Sequence, residues 1–307
     1  MKVGVIGLGS MGMGAALSLA GAGHEVAGCE VRESAWSELE AAGGSCVPSP
    51  DALPAGLDAL IVFVVNAAQA GQVLSAGLSR VAGNGVVLNC TTVSPEAARA
   101  LAAQVAEAGR LYLDAPVSGG SVAARKGAMT VMASGSPAAF DRAAPVLEAM
   151  AGKVWRLGDQ AGTGSTVKMV NQLLAGVHIA VAAEAMALGI RAGADPQTLF
   201  DVISSSAGSS WMWQNRMPHV LEGDDTPHSA VNIFVKDLGI VLDQARTLTF
   251  PLPMASAAHQ LFLAAAASGH GGRDDAFVIR VWEALAGIGL PKPTSHPETG
   301  PIGSTPP

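Results

Sequence analysis

The chain has 307 residues, 49% of them hydrophobic and only 14% charged, with 37 glycines. That is enough apolar material for two domains with a sizeable core, and it excludes disorder over most of the length. A net charge of -7 with no Lys/Arg-rich run excludes a nucleic-acid partner, since nothing would neutralise the phosphates.

A short apolar run at residues 3–6 predicts a buried strand, and Gly7-Leu8-Gly9-Ser10-Met11-Gly12 follows it directly and opens a helix. In that context Gly7 permits the tight turn, Gly9 lets backbone approach a pyrophosphate, and Gly12 lets helix and strand pack closely. The phosphates would then lie on the helix N-terminus. The apolar N-terminus is expected to be a strand and helix and not a secretion signal, because Gly23-His24-Glu25 leads at once into the next strand instead of a cleavage site. That strand, at 26–29, ends in Glu30, about twenty residues beyond the fingerprint, where a carboxylate accepts both ribose hydroxyls of NAD and repels a 2'-phosphate. NAD is therefore the expected cofactor. Arg32, two residues on, reads first as an ordinary surface charge and second as a cradle for a 2'-phosphate.

Further apolar runs at 59–65, 86–90, 111–114 and 129–133 alternate with alanine-rich helical segments. Such alternation predicts an α/β domain, a Rossmann-type doubly wound and mostly parallel sheet over residues 1–163. Val65-Asn66 and Thr91-Thr92 stand at strand ends, where open α/β sheets bind ligands, although both pairs are also ordinary turn residues. Val65, Asn66 and Thr92 are candidate cofactor contacts. Cys29, Cys46 and Cys90 lack the close pairing of a zinc or redox motif and read as free thiols in a reducing cytoplasm. Asp114-Ala115-Pro116-Val117-Ser118-Gly119-Gly120 closes a strand with a hydroxyl and two amides free of side chains, suited to a carboxylate; otherwise it is a plain Ser/Gly loop.

Gly162-Thr163-Gly164-Ser165-Thr166-Val167-Lys168-Met169-Val170-Asn171 is a glycine-led entry into a long apolar helix. The helical repeat puts Gly164, Lys168 and Asn171 on one face and turns Val167, Val170 and Leu174 toward packing. Lys168 is the candidate general acid/base, with Asn171 as its polar companion. Residues 173–190 are apolar enough to suggest a membrane span. His178 and Glu184 lie inside that run, and a mid-span charge costs about 2.5 to 3.5 kcal/mol. A buried helix in a homodimer or homotetramer is expected, with no transmembrane segment.

Helical periodicity then runs to about Ile288, giving an all-helical domain over 164–290 for substrate and assembly. A helix starts at Asp195-Pro196 and a loop interrupts at 269–272. Trp211, Trp213, Asn215 and Arg216 are possible lining for a substrate mouth, though aromatics here more often serve the core or a dimer contact. His178 reads as a core or interface histidine, Asp274 or Asp275 as a helix start, and no metal site is expected. Residues 291–307, rich in Pro, Gly, Ser and Thr, are expected to be a flexible tail.

Together these motifs resemble the β-hydroxyacid dehydrogenase family, which includes 3-hydroxyisobutyrate dehydrogenase and tartronate semialdehyde reductase. Gly7 to Gly12, Asp114 to Gly120, Gly162 to Asn171 and Lys236-Asp237-Leu238 follow the family's order and spacing over residues 1 to about 290. The resemblance implies that Lys168 is catalytic, that Ser118, Gly119, Gly120 and Asn171 hold a small hydroxy acid, and that Lys236 reaches the cofactor region. Val64-Val65-Asn66-Ala67-Ala68-Gln69, the run from Met169 to His178 and Ser209-Ser210-Trp211-Met212 are similar to the branch that uses NAD on the 2-hydroxyl of a four-carbon sugar acid, L-threonate. Val65-Asn66 departs from the Leu-Pro of the wider family. 3-Hydroxyisobutyrate, D-glycerate and tartronate semialdehyde are the alternative substrates, and a non-catalytic nucleotide sensor the alternative of another class.

Overall fold

A computed structural model describes residues 1–290. The expected tail at 291–307 lies outside the described residues. The chain packs into two compact units, Met1–Leu173 with Gly239–Pro251, and Leu174–Leu238 with the described residues from Leu252 onward.

In the first unit β1 (Lys2–Ile6), β2 (Glu25–Cys29), β3 (Ser45–Val47), β4 (Leu57–Val62), β5 (Val81–Asn89) and β6 (Leu111–Asp114) form one parallel sheet in the order β3-β2-β1-β4-β5-β6. Helices α1 (Ser10–Gly21), α2 (Trp36–Ala41), α3 (Ala67–Gly77) and α4 (Pro95–Glu107) cross between its strands. Alternation along each strand fills two cores. Val3, Val5, Ala59, Ile61, Val86 and Leu88 serve one face, and Ile6, Leu60, Val62 and Val87 the other. Burial on both faces is why these strands read as continuous apolar runs. The order reverses between β1 and β4, the switch point at which such sheets bind dinucleotides.

Two details of the sheets differ from the sequence reading. The run at 59–65 leaves the sheet after Val62, because Phe63 to Val65 begin the loop into α3. The run at 129–133 is not part of the parallel sheet. As β8 (Met129–Ala133) it lies between β7 (Val117–Ser118), antiparallel to it, and β9 (Ala151–Arg156), parallel to it, in a separate three-stranded sheet. An apolar run reports burial and not its partner, so the period alone assigns no sheet. Between these strands lie α5 (Gly120–Arg125) and α6 (Pro137–Met150).

The 29-residue α7 (Thr163–Arg191) begins in the first unit and ends in the second. By length and composition it is the one helix among the described residues capable of crossing a membrane. Its faces are the reverse of expectation, for Val167, Val170 and Leu174 are exposed and Lys168 is buried. The second unit continues with α8 (Pro196–Ser204), α9 (Trp211–Glu222), α10 (Val231–Thr247), α11 (Pro253–Ala265) and α12 (Val281–Ala286). Asp195 caps α8 by accepting from the Thr198 amide at 2.8 Å, and Asp274 accepts from the Ala276 amide at the 3-10 turn Asp275–Arg280.

Candidate active site

At two of its three glycines the turn after β1 is backbone that only glycine tolerates. Gly7 has φ +89°, and a Cβ there would meet the Phe63 carbonyl oxygen at 2.2 Å; a Cβ on Gly12 would lie 1.8 Å from the Gly7 oxygen. A Cβ on Gly9 meets nothing within 4 Å. Gly9 is also the N-cap of α1, with no side chain capping the helix, so the first-turn amides face that open space as an anion site. Leu8 is buried below it, while Ser10 and Met11 form the first turn. These features fit a pyrophosphate lying across Gly9.

Glu30 follows β2 and is held from two sides. It accepts from the Leu8 amide at 3.1 Å and from both the amide and Nε of Arg32, each at 3.1 Å. Burial opposes its ionisation, but the Arg32 hydrogen bonds and charge, with the Leu8 amide, hold the carboxyl below its ordinary range. Arg32 is therefore more than a surface charge, although its side chain is largely exposed. A pinned, ionised carboxylate at this strand end suits a ribose with both hydroxyls free and opposes a 2'-phosphate. Asn66 instead caps α3, accepting from the Gln69 amide at 2.9 Å, and the Val65 amide donates to Gln69 Oε1. Thr91 Oγ1 accepts from the Val64 amide at 3.2 Å, and half-buried Thr92 follows it.

Ser118 pairs with Thr130 across β7 and β8, so the residues after it turn on a fixed base. Gly119 (φ +128°) and Gly120 (φ +68°) both occupy conformations that disfavour a side chain. A Cβ on Gly119 would also strike Ala123 at 2.7 Å. Four residues before Ser118, Asp114 is fully buried and meets the start of α7. Its Oδ2 accepts from the amides of Gly162 (2.9 Å) and Ser165 (2.8 Å), and its Oδ1 from the Ser165 hydroxyl at 2.7 Å. Gly164 has no room for a side chain, since its Cβ would lie 2.3 Å from the Met132 oxygen. The fixed helix carries Lys168, 7% exposed. Gln172, one turn further on the same face and 8% exposed, was missed by the sequence reading. Asn171 donates from Nδ2 to Gln172 Oε1 at 3.0 Å, so the two amides act together. The i, i+4 repeat from Lys168 was the signal available for finding Gln172.

The first unit thus carries Ser118, Gly119, Gly120, Lys168 and Asn171, and Asp114 ties the segment before Ser118 to the start of the helix that bears Lys168. Lys236 belongs to α10 in the second unit, where its Nζ pairs with Asp237. Trp213 is buried and stacks on Phe200, and Arg216 is committed to Asp275, which assigns both to the helical core; Trp211 is exposed.

A glycine turn open to an anion, a pinned carboxylate after β2 and a buried lysine on the helix anchored by Asp114 are the chemistry that a nicotinamide-dependent dehydrogenase of hydroxy acids needs. Residues 2–158 match the family described as the NAD binding domain of 6-phosphogluconate dehydrogenase. Residues 162–282 match that described as the NAD-binding of NADP-dependent 3-hydroxyisobutyrate dehydrogenase. The L-threonate dehydrogenase of Cupriavidus necator is 52% identical over 94% of this chain and 98% of its own. That of Escherichia coli K12 is 53% identical over 94% of this chain and 96% of its own. A crystal structure from Salmonella typhimurium, described as 3-hydroxyisobutyrate dehydrogenase, superposes with a TM-score of 0.88 at 50% identity, covering 92% of this chain and 99% of that one. The chain belongs to the 3-hydroxyisobutyrate dehydrogenase-like family of NAD-dependent hydroxyacid dehydrogenases.

Proposed function

We propose that the protein oxidises the 2-hydroxyl of L-threonate to 2-dehydro-L-erythronate, with Lys168 removing the hydroxyl proton. The observation that carries this reading is Lys168 itself, a buried amine on a fixed helix that shares its face with Gln172. Bound NAD supplies the acceptor for the hydride leaving C2. Ser118 and the amides of Gly119 and Gly120 hold the carboxylate, while Asn171 and Gln172 hold hydroxyls along the chain. Gly7 to Gly12 and Glu30 bind the dinucleotide, and Lys236 is a further cofactor contact.

The relatives named for L-threonate support the substrate. The Salmonella protein, described with another acid at comparable identity, keeps 3-hydroxyisobutyrate as the second reading. Reduction of NAD and NADP is to be followed with L-threonate, D-threonate, D-erythronate, D-glycerate and 3-hydroxyisobutyrate. The expected result is turnover with L-threonate and NAD, and weak turnover with the methyl-bearing acid, which leaves polar groups of the site without partners. Full activity of Lys168→Ala would remove the mechanism. Silence of the native protein across the panel would favour a nucleotide sensor.

The cofactor domain is assigned to residues 1–163 and the substrate and assembly domain to 164–290. The exposed large residues Val167, Val170, Leu174, Val181 and Leu188 recur on one side of α7, and a second copy of the chain is proposed to cover them, giving a homodimer or homotetramer. Three free cysteines suit a reducing, cytoplasmic location. Light scattering that finds only monomer at micromolar concentration counts against the assembly.

A further inference from the structure

We propose that Asp114 is a positioning residue for Lys168, locking the first turn of α7 to the segment that carries Ser118 so that base and substrate-binding turn share one anchor. The inference rests on the reading of Lys168 as the base.

Asp114 and Ser134 form a platform under the helix start. Their backbones exchange two hydrogen bonds, both at 2.9 Å, between the end of β6 and the residue after β8. The Asp114 carboxylate takes the amides of Gly162 and Ser165, and Ser134 Oγ takes that of Gly164 at 2.9 Å. Three amides at the entry to α7 therefore find acceptors from two other strands, where a helix ordinarily finds a cap in its own sequence. The Ser165 hydroxyl adds a third contact from the helix start to the Asp114 carboxylate, and Ser134 Oγ donates to Oδ2 at 3.4 Å.

The geometry around this platform leaves no slack. Gly162 has φ +101°, and a Cβ there would meet the Pro95 oxygen at 3.0 Å; a Cβ on Gly164 would meet the Asp114 oxygen at 2.9 Å. The helix start is thus pressed onto the strands and held by directional bonds. Lys168 lies less than one turn beyond Ser165, and Ser118 lies four residues beyond Asp114 in a paired strand. Moving the carboxylate shifts the amine against the substrate turn. Both carboxylate oxygens are engaged with the helix start and the side chain is fully buried, so its role is support of the helix.

The test uses the full chain with Asp114→Ala, Asp114→Asn, Ser165→Ala and Lys168→Ala. The Asn variant keeps an oxygen for the Gly162 and Ser165 amides and offers an NH2 to the Ser165 hydroxyl, so it supports the same geometry without the charge. Asp114→Ala is expected to lower kcat about 100-fold, the scale of a misplacement near 1 Å. The dissociation constant for NAD, read by intrinsic fluorescence, is expected to stay within about twofold, because the fingerprint glycines are untouched. Asp114→Asn is expected to recover most of kcat, and hydrogen exchange at amides 162–168 to quicken in the Ala variant alone. If Asp114→Ala does not fold, Ser165→Ala, which deletes one bond to Oδ1, carries the test with a kcat loss of about three- to tenfold.

Native kcat in folded Asp114→Ala, or in Ser165→Ala where that variant carries the test, overturns the inference. So does an Asn variant as impaired as the Ala variant, which would make the charge the active element. Lys168→Ala separates the two ideas: if it retains turnover the base assignment itself fails, whereas a silent Lys168→Ala beside a fully active Asp114→Ala removes only the positioning role.

Discussion

Arg216→Met tests the charge network at the centre of the helical unit. Arg216 on α9 reaches Asp275 through Nε at 2.5 Å and Nη2 at 3.1 Å, and its Nη1 meets Asn215 Oδ1. One turn on, His219 meets Asp274 at 3.1 Å. Both carboxylates are fully buried, so each takes its cation from the same helix. Removing Arg216 leaves Asp275 an uncompensated buried charge, at a cost of about 3 to 5 kcal/mol. That cost depends on pH. Burial raises the Asp275 pKa from 3.8 to about 6, against the charge and hydrogen bond of Arg216. The folded state therefore binds more protons than the unfolded state across that interval. The contribution of this group is fully present below the lower value and is lost as pH rises through the upper one. Without Arg216 the folded-state value moves higher still. At pH 5 Asp275 is largely protonated in both proteins, and the substitution removes only contacts and hydrogen bonds, about 1 to 2 kcal/mol. At pH 8 the full charge penalty applies. The hydrogen bond to Asp274 raises the His219 pKa, against burial and the charge of Arg216; removing Arg216 raises it further, a stabilisation present at low pH and lost as pH rises past that value, so it acts in the same direction as the Asp275 effect. Thermal unfolding followed by circular dichroism should show a melting-temperature loss several degrees larger at pH 8 than at pH 5, at about 2 to 4 °C per kcal/mol. An equal loss at both values refutes the reasoning.

Three other substitutions follow from local geometry. Thr249 has φ +53° just past α10, where the Phe250 amide bonds the Ala245 oxygen at 2.9 Å and the Thr249 amide bonds that of Arg246 at 3.1 Å, a cap that favours glycine. Relief of the left-handed strain exceeds the added chain entropy, so Thr249→Gly is expected to stabilise by about 0.5 to 1 kcal/mol, read as a higher melting temperature; a lower one counts against the strain. Gly12→Ala places a Cβ against the Gly7 oxygen, so NAD binding by calorimetry is expected to fall at least about tenfold, the effect of roughly 1.4 kcal/mol. Glu30→Ala should weaken NAD by about 1 to 3 kcal/mol without weakening NADP. Equal losses for the two dinucleotides would show that Glu30 does not read the ribose.

The parts legible in the sequence were those whose cause is local. Gly7 to Gly12 announces itself because Gly7 and Gly12 answer steric demands of the turn while Gly9 leaves open the space before α1, and β1, β2 and β6 because burial on both faces makes continuous apolar runs. The second sheet was hidden. β7 is two residues long, and β9 spells Ala-Gly-Lys-Val-Trp-Arg with much of it exposed, so neither carries a period to read. Asp114 looked like the end of a strand because its partners stand 48 and 51 residues away. Arg32 looked like a surface charge because most of it is one, and only its Nε and amide reveal the link to Glu30.

The reversed faces of α7 have a different cause, since both sides of that helix are apolar and hydrophobicity cannot choose between them. Residue size can. The buried side carries Ala175, Gly176, Ile179, Ala180, Ala183 and Ala187, and a Cβ on Gly176 would meet Phe234 at 2.9 Å and Leu238 at 3.0 Å. Close helix contact demands small residues there, which leaves the larger Val167, Val170, Leu174, Val181 and Leu188 outside. Substitutions on the two sides should then separate. Gly176→Val is expected to lower the melting temperature by overpacking worth about 1 to 3 kcal/mol. Val170→Lys should leave the fold of the single chain unchanged and shift light scattering toward monomer, because a charge enters only the face that a second copy would cover. Unfolding by Val170→Lys in a protein that is monomeric throughout would mean that this face is packed within the chain itself.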